Sequence, residues 1–168
     1  KELNMDALAL TDHGNGYGAV EFYKKAKAAG VRPILGMEAY VAPRSCKDKV
    51  HGLDDKYFHL TLICENNTGW KNLVKLITKS NLHGFYYKPR IDKQLLQEHK
   101  EGLICLSGCY SGELIRAILA NKLNIAEKIA LEFQNIFGAN NYFIEIAYHP
   151  NFSPKEHQRV WPALIELS

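Results

Sequence analysis

Ala7-Leu8-Ala9-Leu10-Thr11 is an apolar run too short for a helix, and Asp12-His13-Gly14 closes it with polar groups. A run of that length, stopped by a glycine, predicts a buried strand entering a loop. Val20, Tyr23, Ala26 and Ala29 then recur at near-helical spacing between Ala19 and Ala29, and Gly30 supplies a stop signal. The order is strand, polar loop, helix. It begins again with Arg32 to Val41, an apolar strand closed by Pro43 and interrupted by a single acid, Glu38. Mixed charges from Arg44 to Lys56 predict a surface excursion before a third strand, Phe58 to Cys64.

Further along, Asn67 or Thr68 is expected to cap a helix from Gly69 to Leu82, with Trp70, Leu73, Val74, Ile77 and Leu82 on its apolar face. Gly84-Phe85-Tyr86-Tyr87-Lys88-Pro89-Arg90 reads as an aromatic and basic loop, followed by a short helix capped by Asp92. A strand from Gly102 to Ser107 ends at Gly108-Cys109. Helices over Ser111 to Leu119 and Ile125 to Phe137, a strand over Tyr142 to Ile146 and a last helix from about Ser153 complete the series. There is no internal repeat or low-complexity tract. Strands joined by helices predict a parallel sheet in an α/β fold, either a barrel or an open doubly wound sheet.

The 168 residues fit one domain with a substantial core. Apolar residues make up 46% and charged residues 23%, and no apolar run approaches the length of a membrane span. The start lacks the basic-then-apolar layout of a secretory signal. Cys46, Cys64, Cys105 and Cys109 form no C-x-x-C pair, so free thiols in a reduced, cytoplasmic setting are expected. The triplets Asn66-Asn67-Thr68 and Asn151-Phe152-Ser153 match the glycosylation pattern, but nothing else points to secretion. A net charge of +3 is too small to imply nucleic-acid binding by itself. The loop Gly14-Asn15-Gly16-Tyr17-Gly18 matches neither the dinucleotide fingerprint nor the P-loop, and reads as a tight turn.

In parallel α/β folds the reactive groups sit where strands end, so polar residues that end or interrupt apolar runs carry the information. They are Asp12 and His13, Glu38, His59 and Cys109. Imidazole, carboxylate and thiolate together form a donor set for zinc and related divalent ions. Taken singly, a histidine near a strand is a hydrogen-bonded core residue and a lone cysteine an inert one. Glu38 resists that reading, because a carboxylate between Met37 and Ala39 is costly to bury without a metal, an arginine or several donors. His51, His83, His99, His149 and His157 fall in polar or helical contexts and are expected at the surface.

Leu10-Thr11-Asp12-His13-Gly14 and Gly36-Met37-Glu38-Ala39-Tyr40-Val41 resemble successive motifs of PHP (polymerase and histidinol phosphatase) domains. Phe58-His59-Leu60-Thr61-Leu62, Asn66 to Leu73, Gly84 to Asp92 and Leu106 to Glu113 resemble the branch found in bacterial DNA polymerase III alpha subunits. The resemblance implies a distorted TIM-like barrel of about seven β/α units carrying up to three divalent ions, zinc, manganese or magnesium. Residues 1–168 would be a partial PHP domain, incomplete at both ends, with an opening His-x-His before Lys1 and a closing Asp-x-His after Ser168. Such a piece alone is expected to bind metal weakly or not at all. The implied metal ligands are His13, Glu38, His59 and Cys109, with Glu38 bridging two ions and Asp12 either a ligand or the group that orients the imidazole. The parent would be a nucleotidyltransferase for DNA-directed DNA synthesis, its PHP domain a metal-dependent phosphoesterase or 3′–5′ exonuclease. The alternatives are a non-catalytic platform that docks a separate proofreading exonuclease subunit, and a free-standing phosphatase. Implied partners are DNA, the remaining polymerase domains and other replisome subunits in the bacterial cytoplasm, with no membrane. Tyr87 and Arg90 are candidate DNA contacts, a packed loop being the other reading.

Overall fold

A computed structural model describes residues 3–148, 150 and 152–168; His149 and Asn151, singled out above, lie outside the described residues. The elements in chain order are β1 (Ala7–His13), α1 (Ala19–Ala28), β2 (Arg32–Val41), β3 (Phe58–Cys64), α2 (Asn67–Leu82), β4 (Phe85–Tyr86), β5 (Lys88–Ile91), α3 (Lys93–His99), β6 (Leu103–Leu106), α4 (Glu113–Leu119), α5 (Leu123–Phe137), β7 (Tyr142–Phe143) and α6 (Pro154–Glu166).

β2 is the hub of the sheet. β1 pairs with it in parallel from Ala7↔Arg32 to His13↔Glu38, and β5 continues along the same edge at Tyr40↔Arg90 and Val41↔Ile91. β3 takes the other edge, antiparallel, from Gly36↔Ile63 to Val41↔Phe58. β6 pairs antiparallel with β3, and β7 parallel with β6. The expected all-parallel sheet is therefore corrected to a mixed one. β1, β2, β5, β6 and β7 share one direction, while β3 and the short β4 run against it. The cause lies between Val41 and Phe58, where the excursion contains no helix and the chain returns beside β2 without a crossover. The sheet order is β4-β5-β2-β3-β6-β7 with β1 beside β2, and among the described residues no pairing closes it into a barrel.

Alternation along the strands divides the sheet into two faces. Met37, Ala39 and Val41 of β2 and Leu60 and Leu62 of β3 are buried with Leu73 and Leu76 of α2, Leu96 of α3, Ile115 and Ile118 of α4 and Phe133 of α5. Glu38, Tyr40, His59 and Thr61 project from the opposite face. β1 is less buried than its sequence implies, and Leu8 keeps half of its surface exposed. Val74 and Leu82 also point outward, so the apolar face of α2 is narrower than its spacing suggests.

The helix starts follow local chemistry. Asn66 caps α2 by accepting from the N–H groups of Thr68 and Gly69, one residue earlier than expected. Asp92 caps α3 through Leu95 N–H, and Ser153 and Glu156 form a reciprocal capping box on α6.

Candidate metal centre

The reversal of β3 builds the site. His59 lies near the start of β3, which brings it to the same end of the sheet as the carboxyl ends of β1 and β2. In the register, His13 pairs with Glu38, Glu38 with Thr61 and Tyr40 with His59. Residues opposite one another point to the same face, so two imidazoles and a carboxylate converge. One potential ligand atom from each of His13, Glu38 and His59 lies within 4.8 Å of the others.

Glu38 is the centre of the cluster. Its Oε1 stands 3.0 Å from His59 Nδ1 and accepts from the Cys109 thiol at 3.6 Å. The same sulfur is 3.6 Å from His59 Nδ1. Oε2 is buried, faces His13 Nδ1 and receives no aligned hydrogen bond. Two rings orient His59: Tyr57 stacks on it with centroids 6.0 Å apart, and Tyr40 meets it edge-on at 5.4 Å.

Two glycines make the convergence sterically feasible. Gly14 has φ +65°, donates its N–H to Glu38 O at 2.8 Å, and has no space for a Cβ beside the Tyr40 ring. Gly108, with φ +84°, precedes Cys109, and a Cβ there would stand 2.5 Å from His59 O. The Cys109 turn therefore packs directly against the beginning of β3.

The electrostatics match this crowding. Burial pushes the Glu38 carboxyl upward, but the His59 hydrogen bond and charge, His13 and the Cys109 thiol outweigh it and hold it below the ordinary range. The contacts with Cys109 and Glu38 raise the His59 imidazole to about 9 against the opposing effect of burial. A proton thus occupies the place between donors where a cation would sit, and a divalent ion would bind in competition with it. Nitrogen, oxygen and sulfur donors around a buried, unsatisfied carboxylate oxygen suit zinc and neighbouring divalent ions.

The remaining candidates lie elsewhere. Asp12 falls on the other face of β1, where its Oδ2 accepts from Gly18 N–H at 3.1 Å ahead of α1. It neither joins the cluster nor touches the His13 ring in the printed hydrogen bonds of the site. Arg90 is fully buried, which corrects its assignment as a DNA contact. It donates to the carbonyls of Gly84, Asp54, Cys46 and Asp48 at 3.2, 2.5, 3.0 and 2.8 Å, and so fastens the excursion after β2. Tyr87 is exposed, at the tip of a β4–β5 hairpin rather than a loop, with φ +59°. His51 and His83 are exposed and His99 half-buried. His157 is buried, a further correction: with Val160 and Leu164 it lies on the inner face of α6, and its Nδ1 meets the Tyr110 hydroxyl.

Sequence reasoning passed over Glu145. Its carboxylate accepts from Thr61 Oγ1 at 3.4 Å and from the Gly108 N–H, on the face of the sheet that carries Glu38. The signal was present, since Glu145 is a single acid between Ile144 and Ile146, the same pattern that singled out Glu38.

Comparison with known proteins adds ancestry to this geometry. Residues 1–149 match the family model described as the PHP domain. The chain is 45% identical over its whole length to the DNA polymerase III subunit alpha of Treponema pallidum. It is 54% identical to that of Thermus aquaticus over 85% of the chain, and 48% identical to that of Borreliella burgdorferi over 89%. The chain spans only 14%, 12% and 13% of the length of these three relatives, in that order.

Proposed function

The chain belongs to the PHP domain family, and from that premise we propose that it is the PHP region of a bacterial replicative DNA polymerase alpha subunit and holds divalent ions in the His13–Glu38–His59–Cys109 cluster. The observation that carries this reading is the Glu38 carboxylate, half-buried between two imidazoles and a thiol with one oxygen unsatisfied. Its two oxygens face different partners, as suits a carboxylate shared by two ions. His13 and His59 present ring nitrogens from adjoining strands, and Cys109 presents sulfur from a turn. The open sheet, with most strands running in one direction, fits a segment of a distorted seven-unit barrel whose other strands come from the parent polypeptide.

The activity proposed for the complete domain is hydrolysis of a phosphodiester at a DNA 3′ end. Divalent ions held there supply Lewis acidity toward water and the phosphoryl group. The protein orients them: Tyr40 and Tyr57 fix the His59 ring, and Gly108 sets the approach of Cys109. DNA synthesis belongs to the parent chain, together with its contacts to DNA, to a proofreading exonuclease subunit and to other replisome subunits. Among the described residues no helix is long and apolar enough to cross a membrane, and the bacterial cytoplasm is the proposed location.

The test is His59→Ala in the full-length polymerase. Release of nucleotides from a 3′ end should fall by roughly 100-fold or more, the scale of loss on disturbing a metal site, while primer extension survives. Unchanged hydrolysis would sink the proposal. Metal binding in a parent polymerase that shows no hydrolysis would instead make the cluster structural and the domain a docking platform.

A further inference from the structure

We infer that Glu145 is a positioning residue of this centre, its carboxylate fixing the turn that presents Cys109 to Glu38 and His59. The inference rests on the metal-site reading above and adds to it a group from a different element. After β7 the backbone stays beside β6: Ser107 N–H donates to Phe143 O at 3.0 Å and Glu145 N–H to Ser107 Oγ at 2.9 Å. The Glu145 side chain is thereby anchored at its own backbone and directed across β6 to β3. There it accepts from Thr61, the register partner of Glu38, and from Gly108, the residue before Cys109. One carboxylate thus ties together the strand opposite Glu38 and the turn that carries the sulfur.

The turn needs such a tie. Gly108 is held at φ +84° with its Cα side pressed on His59 O, so its conformation is set by packing on one side and by the Glu145 hydrogen bond on the other. Moving the Gly108 peptide would move the Cys109 sulfur, whose contacts at 3.6 Å leave little latitude for ligation. The location is also electrostatically unfavourable, since burial and the neighbouring Glu38 both push the Glu145 carboxyl upward. A carboxylate in such a place is compensated by the donors it holds.

Cobalt(II) reports the sulfur directly, because thiolate ligation gives a near-ultraviolet charge-transfer band. In the full-length protein, the band that Cys109→Ser removes identifies the Cys109 contribution. Glu145→Ala should lose most of this band and weaken cobalt binding roughly 10- to 100-fold, the range for residues that orient a ligand. Glu145→Gln, which keeps an oxygen for the Gly108 N–H, should restore the band. If Glu145→Ala melts far below the parent, Glu145→Asp decides: it retains the charge, shortens the reach and should also lose the band. A parental band in folded Glu145→Ala or Glu145→Asp overturns the role of Glu145. Absence of any Cys109-dependent band in the unmodified protein overturns the metal-site reading itself, and this inference with it.

Discussion

Arg90 carries a full charge with none of its surface in water, and four backbone carbonyls stand where a carboxylate partner would be expected. Three of those carbonyls, from Cys46, Asp48 and Asp54, belong to the excursion between β2 and β3. The residue therefore acts as an internal clamp that gives an irregular segment fixed hydrogen-bond partners. Asp54, also buried, completes the clamp by accepting from Arg44 at 3.0 and 2.6 Å and from Val50 N–H at 2.8 Å. Arg90→Ala removes the donors but leaves the carbonyls inside, and a loss of about 3–5 kcal/mol is expected in urea unfolding. Tyr87→Ala, at an exposed hairpin tip, should change stability by no more than about 1 kcal/mol. Comparable losses in the two variants would show that Arg90 is not the clamp. The aromatic and basic composition of this segment was legible in the sequence, but the direction in which Arg90 points was not. It depends on where residues 46–54 fold back, a contact more than thirty positions distant.

Asp92 does two jobs for the elements around it. Oδ1 accepts from Leu95 N–H at 2.9 Å to start α3, and Oδ2 accepts from Cys46 N–H at 2.8 Å to hold the excursion. Burial pushes this carboxyl upward, but the Cys46 and Leu95 N–H groups, the Cys46 thiol and Ser45 more than compensate, and it stays below its ordinary value. A carboxyl with a lowered folded value contributes stability that is complete above its unfolded value, about 4, and vanishes as pH falls through the folded one. Asp92→Asn should therefore lower the melting temperature at pH 7, with the gap to the parent closing as pH falls below about 4. Parallel curves would remove the carboxylate from the account. Caps of this kind were legible because their chemistry is local: Asp92 and Ser153 stand where the sequence placed them. The start of α2 shifted by one residue because Asn66, Asn67 and Thr68 can all cap, and distant packing chooses among them. Gly69 lies against Gly102 so closely that a Cβ would come within 1.8 Å of the Gly102 carbonyl oxygen. The direction of β3 was hidden for the same reason, since strand pairing is decided at long range. His157 misled because a histidine three and seven positions before Val160 and Leu164 shares their buried face of α6.

At the scale of the whole molecule, the strand that breaks the parallel pattern completes the site. Were β3 parallel to β2, His59 would lie at the opposite end of the sheet from His13, and Glu38 would have lost its nearest nitrogen. The donors themselves could be read from the sequence as polar residues interrupting apolar runs; their convergence could not, because it required the reversal. Convergence has an energetic consequence. Glu38 and Glu145 bring carboxylates toward one another while His59 is held charged between Glu38 and Cys109. A divalent ion replaces that proton with a larger charge, so binding and folding are coupled. An ion at 100 times its dissociation constant adds about 2.7 kcal/mol to the folded state. For a domain of this size each kcal/mol raises the melting temperature by roughly 2–4 °C, so zinc or manganese should produce a shift of roughly 5–11 °C in the full-length protein. Glu38→Gln should abolish that shift and a chelator should reverse it. The chain of 168 residues alone should give a smaller shift, because the donors that the family resemblance places outside it cannot contribute. A melting temperature indifferent to both ions in the full-length protein would leave the cluster a charge-paired core, with its alignment across β1, β2 and β3 serving stability alone.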